Sequence, residues 1–356
     1  MSDEPTTPIY RDTLIPANAP ASQAIGILEV SKQKVCLVVD EVDTLLGTVT
    51  DGDIRRGILA NISLETPIAH FMNKNPRVAS PADSPDHIKH ILTTHKIRHI
   101  PVVDADNRVI DVITLDDLLQ RPEGRDNWIV LMAGGLGSRL RPLTDEIPKP
   151  MLEVGDKPLL ETIIQEFTRY NFSRFYISIN YRANVIAEYF GDGSKWNAEI
   201  RYIREKDRMG TAGALSLLDE EFSAPIVVMN ADILTKVNFD NLVHYHVEHD
   251  APVTMCVREF DFQIPYGVVE IDDNKIKRIA EKPVEKYLIN AGVQVLDPEV
   301  LELIPKHVFF DFPELIDILS ARNTPASVFP IMEYWMDIGR FDDYRKANAD
   351  FFEHFL

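Results

Sequence analysis

Only two cysteines occur in 356 residues, and both sit inside apolar runs, Cys36 in VCLVV and Cys256 in VTMCV. That excludes a disulfide scaffold and a cysteine-rich metal site, and two buried free thiols in a reducing compartment are expected. Long hydrophobic runs are also missing: none approaches the ~20 residues that cross a bilayer. The amino-terminal MSDEPTTPIY carries acid and proline where an export signal would carry basic and then apolar residues, so a soluble, cytoplasmic protein is expected. Positive charge is in deficit, with 37 Lys and Arg against 56 Asp and Glu and a formal net charge of −19. Nucleic acid and anionic membrane both require a cationic surface, so neither is expected as a partner. The cations that matter must be gathered locally.

One stretch gathers them. Residues 131–152, LMAGGLGSRLRPLTDEIPKPML, follow an apolar strand (Trp128 to Leu131) with Gly134, Gly135 and Gly137, then Arg139, Arg141 and Lys149. Glycines admit a ligand close to the backbone, and clustered N–H, guanidinium and ammonium groups suit phosphates. A Walker loop would need Gly-Lys-Ser/Thr, and a dinucleotide loop would need glycine where Leu140 stands. The remaining pattern, GG-x-G-x-R-L-x-P-L-T followed by P-K-P-M-L, resembles the signature of the sugar-1-phosphate nucleotidylyltransferases.

The length allows two or three domains. The first third holds an internal duplication: residues 35–59 align with 98–120 at a constant offset of 64, so that Val39-Asp40 falls on Val103-Asp104, Thr50 on Thr114 and Asp53 on Asp117. Each half reads as strand, polar turn, strand and a helix begun by Thr and Asp, after an amphipathic helical stretch at 21–29 or 85–96. The repeat resembles a tandem pair of cystathionine-β-synthase-type (CBS) modules, placed at 1–62 and 63–122, with a polar linker at 123–127 and the second domain at 128–356. The CBS resemblance implies adenine nucleotide contacts at Thr50, Asp53, Thr114 and Asp117; as residues alone, both pairs equally read as helix caps.

From Trp128, apolar strands at 129–132, 175–179, 200–203, 226–229 and 253–257 alternate with helical patterns at 159–170, 185–190, 212–218 and 239–249. That rhythm predicts a mainly parallel sheet with helices on both faces and ligands at the carboxyl ends of its strands. His244, His246 and His249 lack metal-ligand spacing and read as a solvated helix face. The family resemblance extends over about 128–345 through the blocks Met209 to Leu215, Asn230-Ala231-Asp232, Glu281-Lys282-Pro283, Ile289 to Val293 and Trp335 to Gly339. It implies an α/β, Rossmann-like mainly parallel nucleotidyltransferase domain behind an N-terminal α+β CBS pair. Where family members commonly have glycine after GDGSKW, this chain has Asn197, which tolerates left-handed backbone angles.

The resemblance also implies roles. Arg139 and Lys149 would be catalytic, stabilising the phosphoryl oxygens and the incoming sugar phosphate. Leu131, Ala133, Gly134, Gly135, Gly137, Glu205, Gly210, Thr211 and Ala212 would bind the nucleotide, and Asn230, Glu281, Lys282, Asn290 and Gly292 the sugar phosphate. Asp232 and Asp337 would hold Mg2+. Glu205 favours guanine, whose adjacent N1–H and N2–H donors suit a carboxylate. The implied reaction transfers a nucleoside monophosphate from a nucleoside triphosphate, GTP first, to a hexosamine- or hexose-1-phosphate with release of pyrophosphate. The domain combination looks like enzymes of bacterial surface-glycan or nonulosonate pathways, glucosamine-1-phosphate guanylyltransferases among them, with CBS regulation and a homo-oligomer as further expectations. The alternatives are a uridylyl- or thymidylyltransferase of the same fold and an inactive nucleotide-sensing regulator. Glycosyl transfer would call for Asp-x-Asp, and here Asn230-Ala231-Asp232 stands in its place.

Overall fold

A computed structural model describes residues 9–118 and 125–355. The chain divides into two compact units, Met1–Pro122 and Glu123–Leu356. The acidic start of the chain and the first part of the expected linker lie outside the described residues. Arg125 already donates from its backbone N to Asn171 O, and Asn127 Nδ2 donates to Pro225 O, so the chain is tied to the second unit from there on.

In the first unit, β1 (Leu14–Pro16), α1 (Ala21–Val30), β2 (Cys36–Val39), β3 (Leu45–Val49) and α2 (Asp51–Leu59) form one module. The second consists of α3 (Pro85–Thr94), β4 (His99–Val103), β5 (Val109–Thr114) and α4 (Leu115–Leu118). Leu37, Val39 and Leu45 pack with Val103, Val109 and Val112 in a shared core, and the polar turns cross-bond, Val109 N to Asp43 O and Leu45 N to Asn107 O. Both Thr/Asp pairs cap helix starts: Asp53 Oδ2 accepts from Thr50 N and Oγ1, each at 2.8 Å, and Asp117 Oδ2 accepts from Thr114 N at 3.1 Å and Oγ1 at 2.7 Å.

The second unit opens with β6 (Trp128–Met132), followed by the short β7 (Glu153–Val154) and β8 (Lys157–Pro158), α5 (Leu159–Arg169), β9 (Arg174–Ile179), α6 (Ala183–Phe190), β10 (Glu199–Arg204) and β11 (Ile226–Asn230). After these come β12 (Ile233–Thr235), α7 (Phe239–His249), β13 (Val253–Gln263), a hairpin of β14 (Val268–Asp272) and β15 (Lys275–Ala280), β16 (Val284–Leu296), α8 (Phe312–Ala321), β17 (Ser327–Pro330), β18 (Trp335–Asp337) and α9 (Phe341–His354). Seven strands make one sheet in the order β10-β9-β6-β11-β16-β13-β17. All neighbours pair parallel except β16, which runs antiparallel to both β11 and β13.

The β6 run is apolar throughout because both its faces are covered. Ile129 and Leu131 enter a core with Phe167, Phe175 and Phe239, while Trp128 and Val130 enter another with Tyr176, Leu215 and Phe312. Asn197 adopts φ 54° and ψ 40°, the left-handed conformation expected of it. The stretch expected as a helix at 212–218 is instead a 3-10 turn, Gly213–Leu217, its amides drawn to a neighbouring loop described below.

His246 corrects the reading of a solvated histidine face. It is 2% exposed, with Nδ1 2.8 Å from Thr254 Oγ1 and Nε2 3.1 Å from Asp297 Oδ1, and Thr254 Oγ1 lies 2.7 Å from Ser327 Oγ. The network pins α7 to β13, β17 and the turn after β16. Burial holds the imidazole below its ordinary 6.5, against the opposing pull of Asp297. As pH falls from 6.5 towards that lowered pKa, the unfolded chain takes up a proton the folded one does not, so stability is lost over that window. His246→Gln is expected to cost about 1–3 kcal/mol near pH 7.5 and to lose less than the wild type on acidification, read by urea unfolding at two pH values.

Candidate active site

Strand ends decide what meets at the carboxyl edge of this sheet. β6 and β11 run parallel, with Met132 level with Asn230, so the loops after both emerge together. Because β16 is antiparallel and pairs Val293 with Met229, the residues before Val293 reach the same edge. β12 and β18 pair Ile233 with Asp337, and Ile338 N donates to Asp232 O, which brings the two carboxylates to one place.

The glycine loop, residues 133–137, is irregular until a 3-10 turn at Ser138–Leu140. Gly137 stands at φ 62°, and a Cβ there would press on Thr144 and Lys149. The segment behind it is tied back by Thr144 Oγ1 to Gly137 O, by Tyr181 Oη to Asp145 O and by Arg182 Nη2 to Asp145 O. Arg141 pairs with Asp145 at 3.4 Å within this loop. Arg139 is exposed and makes no hydrogen bond or ion pair among the described residues, so its guanidinium fork is free for a ligand. A Cβ added to Gly339 would stand 3.5 Å from its Nη1 and 3.6 Å from Asp337 Oδ1, which locates Arg139 beside the carboxylates.

Lys149 is 8% exposed, with Nζ 2.5 Å from Asp232 Oδ2 and 4.0 Å from Asp337 Oδ1. It therefore stands between the carboxylates rather than facing outward as a lone phosphate ligand. Burial, then the charge of Asp232, push the Asp337 carboxyl above the ordinary carboxylate range, with Lys149 and Arg139 opposing. Asp232 Oδ1 is buried without a hydrogen-bond partner. No cluster of three or more His, Cys, Asp or Glu side chains suited to a metal ion occurs among the described residues.

Glu205 sits against the glycine loop: a Cβ on Gly134 would lie 2.5 Å from its Oε1. Ser178 Oγ donates to Oε1 at 2.6 Å and Met209 N to Oε2 at 3.3 Å, so the carboxylate is fixed in place. Asn290 Oδ1 accepts from Gly292 N at 2.9 Å and Gln294 Nε2 at 3.1 Å. Gly292 is at φ 71°, and a Cβ on it would meet Asn230 Nδ2 at 2.9 Å, which places Asn230 against the Asn290 turn. Glu281 and Lys282 are exposed in the turn between β15 and β16, with Glu281 Oε2 3.0 Å from a Cβ on Gly267.

Four of the residues expected to bind nucleotide are taken up by packing or hydrogen bonds within the chain. The Leu131 side chain is fully buried in the core beneath the loop, and Ala133 is buried too and gives its N–H to Ser178 O. Thr211 is bound within the chain: its N and Oγ1 both donate to Asp311 Oδ1, at 2.7 and 2.9 Å, while Phe312 N donates to its Oγ1. Ala212 N and Gly213 N donate to Phe310 O, so the Gly210 loop offers close-packed small residues rather than an anion cradle. Ser178, Asp311 and Gln294, which hold Glu205, Thr211 and Asn290, were not singled out from the sequence. Gln294 had a signal there, as the one polar residue in the apolar run AGVQVL.

A mainly parallel sheet whose edge gathers a glycine loop, a lysine between two carboxylates and a guanidinium with no hydrogen bond or ion pair among the described residues defines an α/β domain suited to phosphoryl chemistry. The chain belongs to the nucleotidyl transferase family, which matches residues 129–354, and CBS domains match residues 3–60 and 68–124. It is 33% identical over 226 residues to a probable mannose-1-phosphate guanylyltransferase 1 of Oryza sativa subsp. japonica, covering 60% of this chain and 62% of that protein. To the mannose-1-phosphate guanyltransferase of Yarrowia lipolytica it is 32% identical over 228 residues, 62% of each chain. It thus spans about three fifths of the length of these relatives. HddC from Yersinia pseudotuberculosis complexed with GMP-PN superposes with a TM-score of 0.51 at 27% identity, covering 63% of this chain and 99% of that one. At 22% identity and a TM-score of 0.52, a Bacillus anthracis structure described as a possible glucose-1-phosphate thymidylyltransferase shares the fold over 63% of this chain and 94% of its own. No helix among the described residues is long and apolar enough to cross a membrane.

Proposed function

We propose that this chain transfers a guanylyl group from GTP to a hexose- or hexosamine-1-phosphate, forming a GDP-sugar and pyrophosphate. The observation that carries the reading is the meeting of free Arg139 with Lys149, Asp232 and Asp337 at one strand edge, in a family whose similar members are named as mannose-1-phosphate guanylyltransferases.

A phosphate oxygen of the sugar-1-phosphate attacks the α-phosphorus, a new P–O bond forms, and the bond to the β-phosphate oxygen breaks. The nucleophile is already anionic, so no general base is required; the difficulty is to align two anions and neutralise them. Backbone groups of Gly134, Gly135 and Gly137 admit the triphosphate closely. Arg139 stabilises charge on the phosphoryl oxygens and on departing pyrophosphate. Lys149, anchored by Asp232, directs its ammonium to the α-phosphate and the incoming sugar phosphate.

Glu205, held by Ser178, takes the N1–H and N2–H donors of guanine. Asn230, Asn290, Glu281 and Lys282 face the sugar phosphate. The buried, unpartnered Asp232 Oδ1, brought beside Asp337 by the pairing of β12 with β18, fits Mg2+ on hard oxygen ligands. Asp232 and Asp337 would hold the ion, which supplies charge neutralisation to the phosphates.

In the CBS unit, Lys32 Nζ lies 3.2 Å from Asp117 Oδ1, and beside it Ser31 Oγ and Gln33 Oε1 are buried without partners. These polar groups support an adenine nucleotide at the Thr114 and Asp117 module, coupled to the rate of transfer. Asp53 carries a similar ion pair, its Oδ1 accepting from Arg56 Nη2 at 2.6 Å.

Pyrophosphate release, measured for GTP, ATP, CTP, UTP and dTTP against a panel of sugar-1-phosphates with Mg2+, tests the reading. GTP with a hexose- or hexosamine-1-phosphate is expected to be the fastest class, and AMP or ATP to change its rate. Release from UTP or dTTP alone would favour the uridylyl or thymidylyl alternative, and identical rates with and without adenine nucleotide would reject CBS coupling.

A further inference from the structure

Between two anchor pairs, Met255 with Gln294 and Val257 with Asn290, β13 has the single residue Cys256 while β16 has Ala291, Gly292 and Val293. This bulge re-aims β16 at the strand edge. Gly292, at φ 71°, makes the turn, and Trp335 Nε1 secures it by donating to Ala291 O at 2.8 Å. The bulge brings Gly292 N and Gln294 Nε2 onto the same atom, Asn290 Oδ1. Gln294 is 2% exposed in the sheet, between Val228 and Met255.

A backbone N–H can only donate, so the atom facing Gly292 N must be the oxygen of the Asn290 amide. Gln294 reinforces that orientation with a second donor. The amide nitrogen of Asn290 is thereby left outward, and its two N–H groups make no hydrogen bond among the described residues. Asn290 is exposed at the site edge, so its side chain presents donors there.

We infer that Gln294 is a positioning residue that locks Asn290 as a donor, so that the sugar carbon facing Asn290 carries an acceptor oxygen, a hydroxyl or an acyl carbonyl, and not a free ammonium. The inference rests on the sugar-1-phosphate reading above and narrows it: at that carbon a neutral hexose or an N-acylated hexosamine fits, and a free amino sugar does not. An ammonium there would face the Asn290 N–H groups with like polarity, whereas an oxygen would accept from them.

Binding rather than turnover tests it on the full chain. Mannose-1-phosphate and four analogues, with an amine replacing the hydroxyl at carbon 2, 3, 4 or 6, are titrated by calorimetry in the presence of Mg2+ and a non-hydrolysable GTP analogue. In the wild type, one of the four is expected to bind about tenfold or more weakly than the parent sugar. Gln294→Met, apolar and of similar length, is expected to weaken the parent sugar about tenfold, to shrink that gap, and to leave affinity for the GTP analogue unchanged. Asn290→Asp, whose inner oxygen keeps both donors and whose outer oxygen only accepts, is expected to invert the preference towards the amine. Equal binding of all four analogues, no binding of any sugar, or wild-type sugar affinity in Gln294→Met would overturn the inference. The expected binding pattern without pyrophosphate release would instead sink the transfer reading and leave this inference standing.

Discussion

Asp232→Asn is expected to lower kcat/KM by about a thousandfold, roughly 4 kcal/mol of transition-state stabilisation. The change is isosteric and keeps the backbone contact in which Ile338 N donates to Asp232 O. What it removes is charge, at the atom that anchors Lys149 and at the buried Oδ1 that has no partner in the chain. An amide is a poor ligand for a hard divalent ion, and if its oxygen keeps Lys149 its N–H groups take the buried place of Oδ1, where they would repel a cation. Lys149 keeps Asp337 at 4.0 Å, so the folded chain retains a counter-charge beside it. Steady-state kinetics over a range of Mg2+ concentrations, with circular dichroism as a control on folding, separates this from simple unfolding. A loss of less than tenfold would show that the carboxylate does not take part in the reaction.

Arg139→Ala is expected to cost about 100- to 1,000-fold in kcat, with Arg139→Lys intermediate, because the lysine keeps the charge and loses the fork that grips two phosphate oxygens. Unlike Lys149, the Arg139 side chain holds nothing else in the described structure, so its removal leaves no orphaned partner. The melting temperature should therefore stay at the wild-type value while kcat falls. If Arg139 binds pyrophosphate as it departs, inhibition by added pyrophosphate should weaken in parallel with kcat. An unchanged kcat would move the charge-stabilising role to Lys149 or Lys282.

Much of this architecture was legible because its signals are local. The apolar runs at 129–132, 175–179 and 226–229 became β6, β9 and β11, and the residue motifs at their ends fell on one edge. Asn197 took the left-handed backbone that its side chain tolerates. What escaped depends on partners distant in sequence. The amide and hydroxyl of Thr211 go to Asp311, a hundred residues later, and no pattern around Gly210 announces that.

His246 was misjudged for a different reason. Its spacing from Phe239, Leu242 and Val243 is that of an apolar helix stripe, so helical periodicity alone places it on the buried face of α7. Leu131, read from its apolar run as a strand residue, is one, with its side chain in the covered core of the sheet. Lys149 was recognised as a site residue, but its orientation between Asp232 and Asp337 follows from the pairing of β12 with β18, which sequence spacing does not reveal.

The most direct measurement of the central claim is 31P NMR of the wild-type chain with GTP, mannose-1-phosphate and Mg2+. The account predicts that the triphosphate signals decline while a sugar-linked diphosphate pair and pyrophosphate grow in equal amounts. Unchanged spectra, or conversion of GTP to GDP and inorganic phosphate, would contradict it.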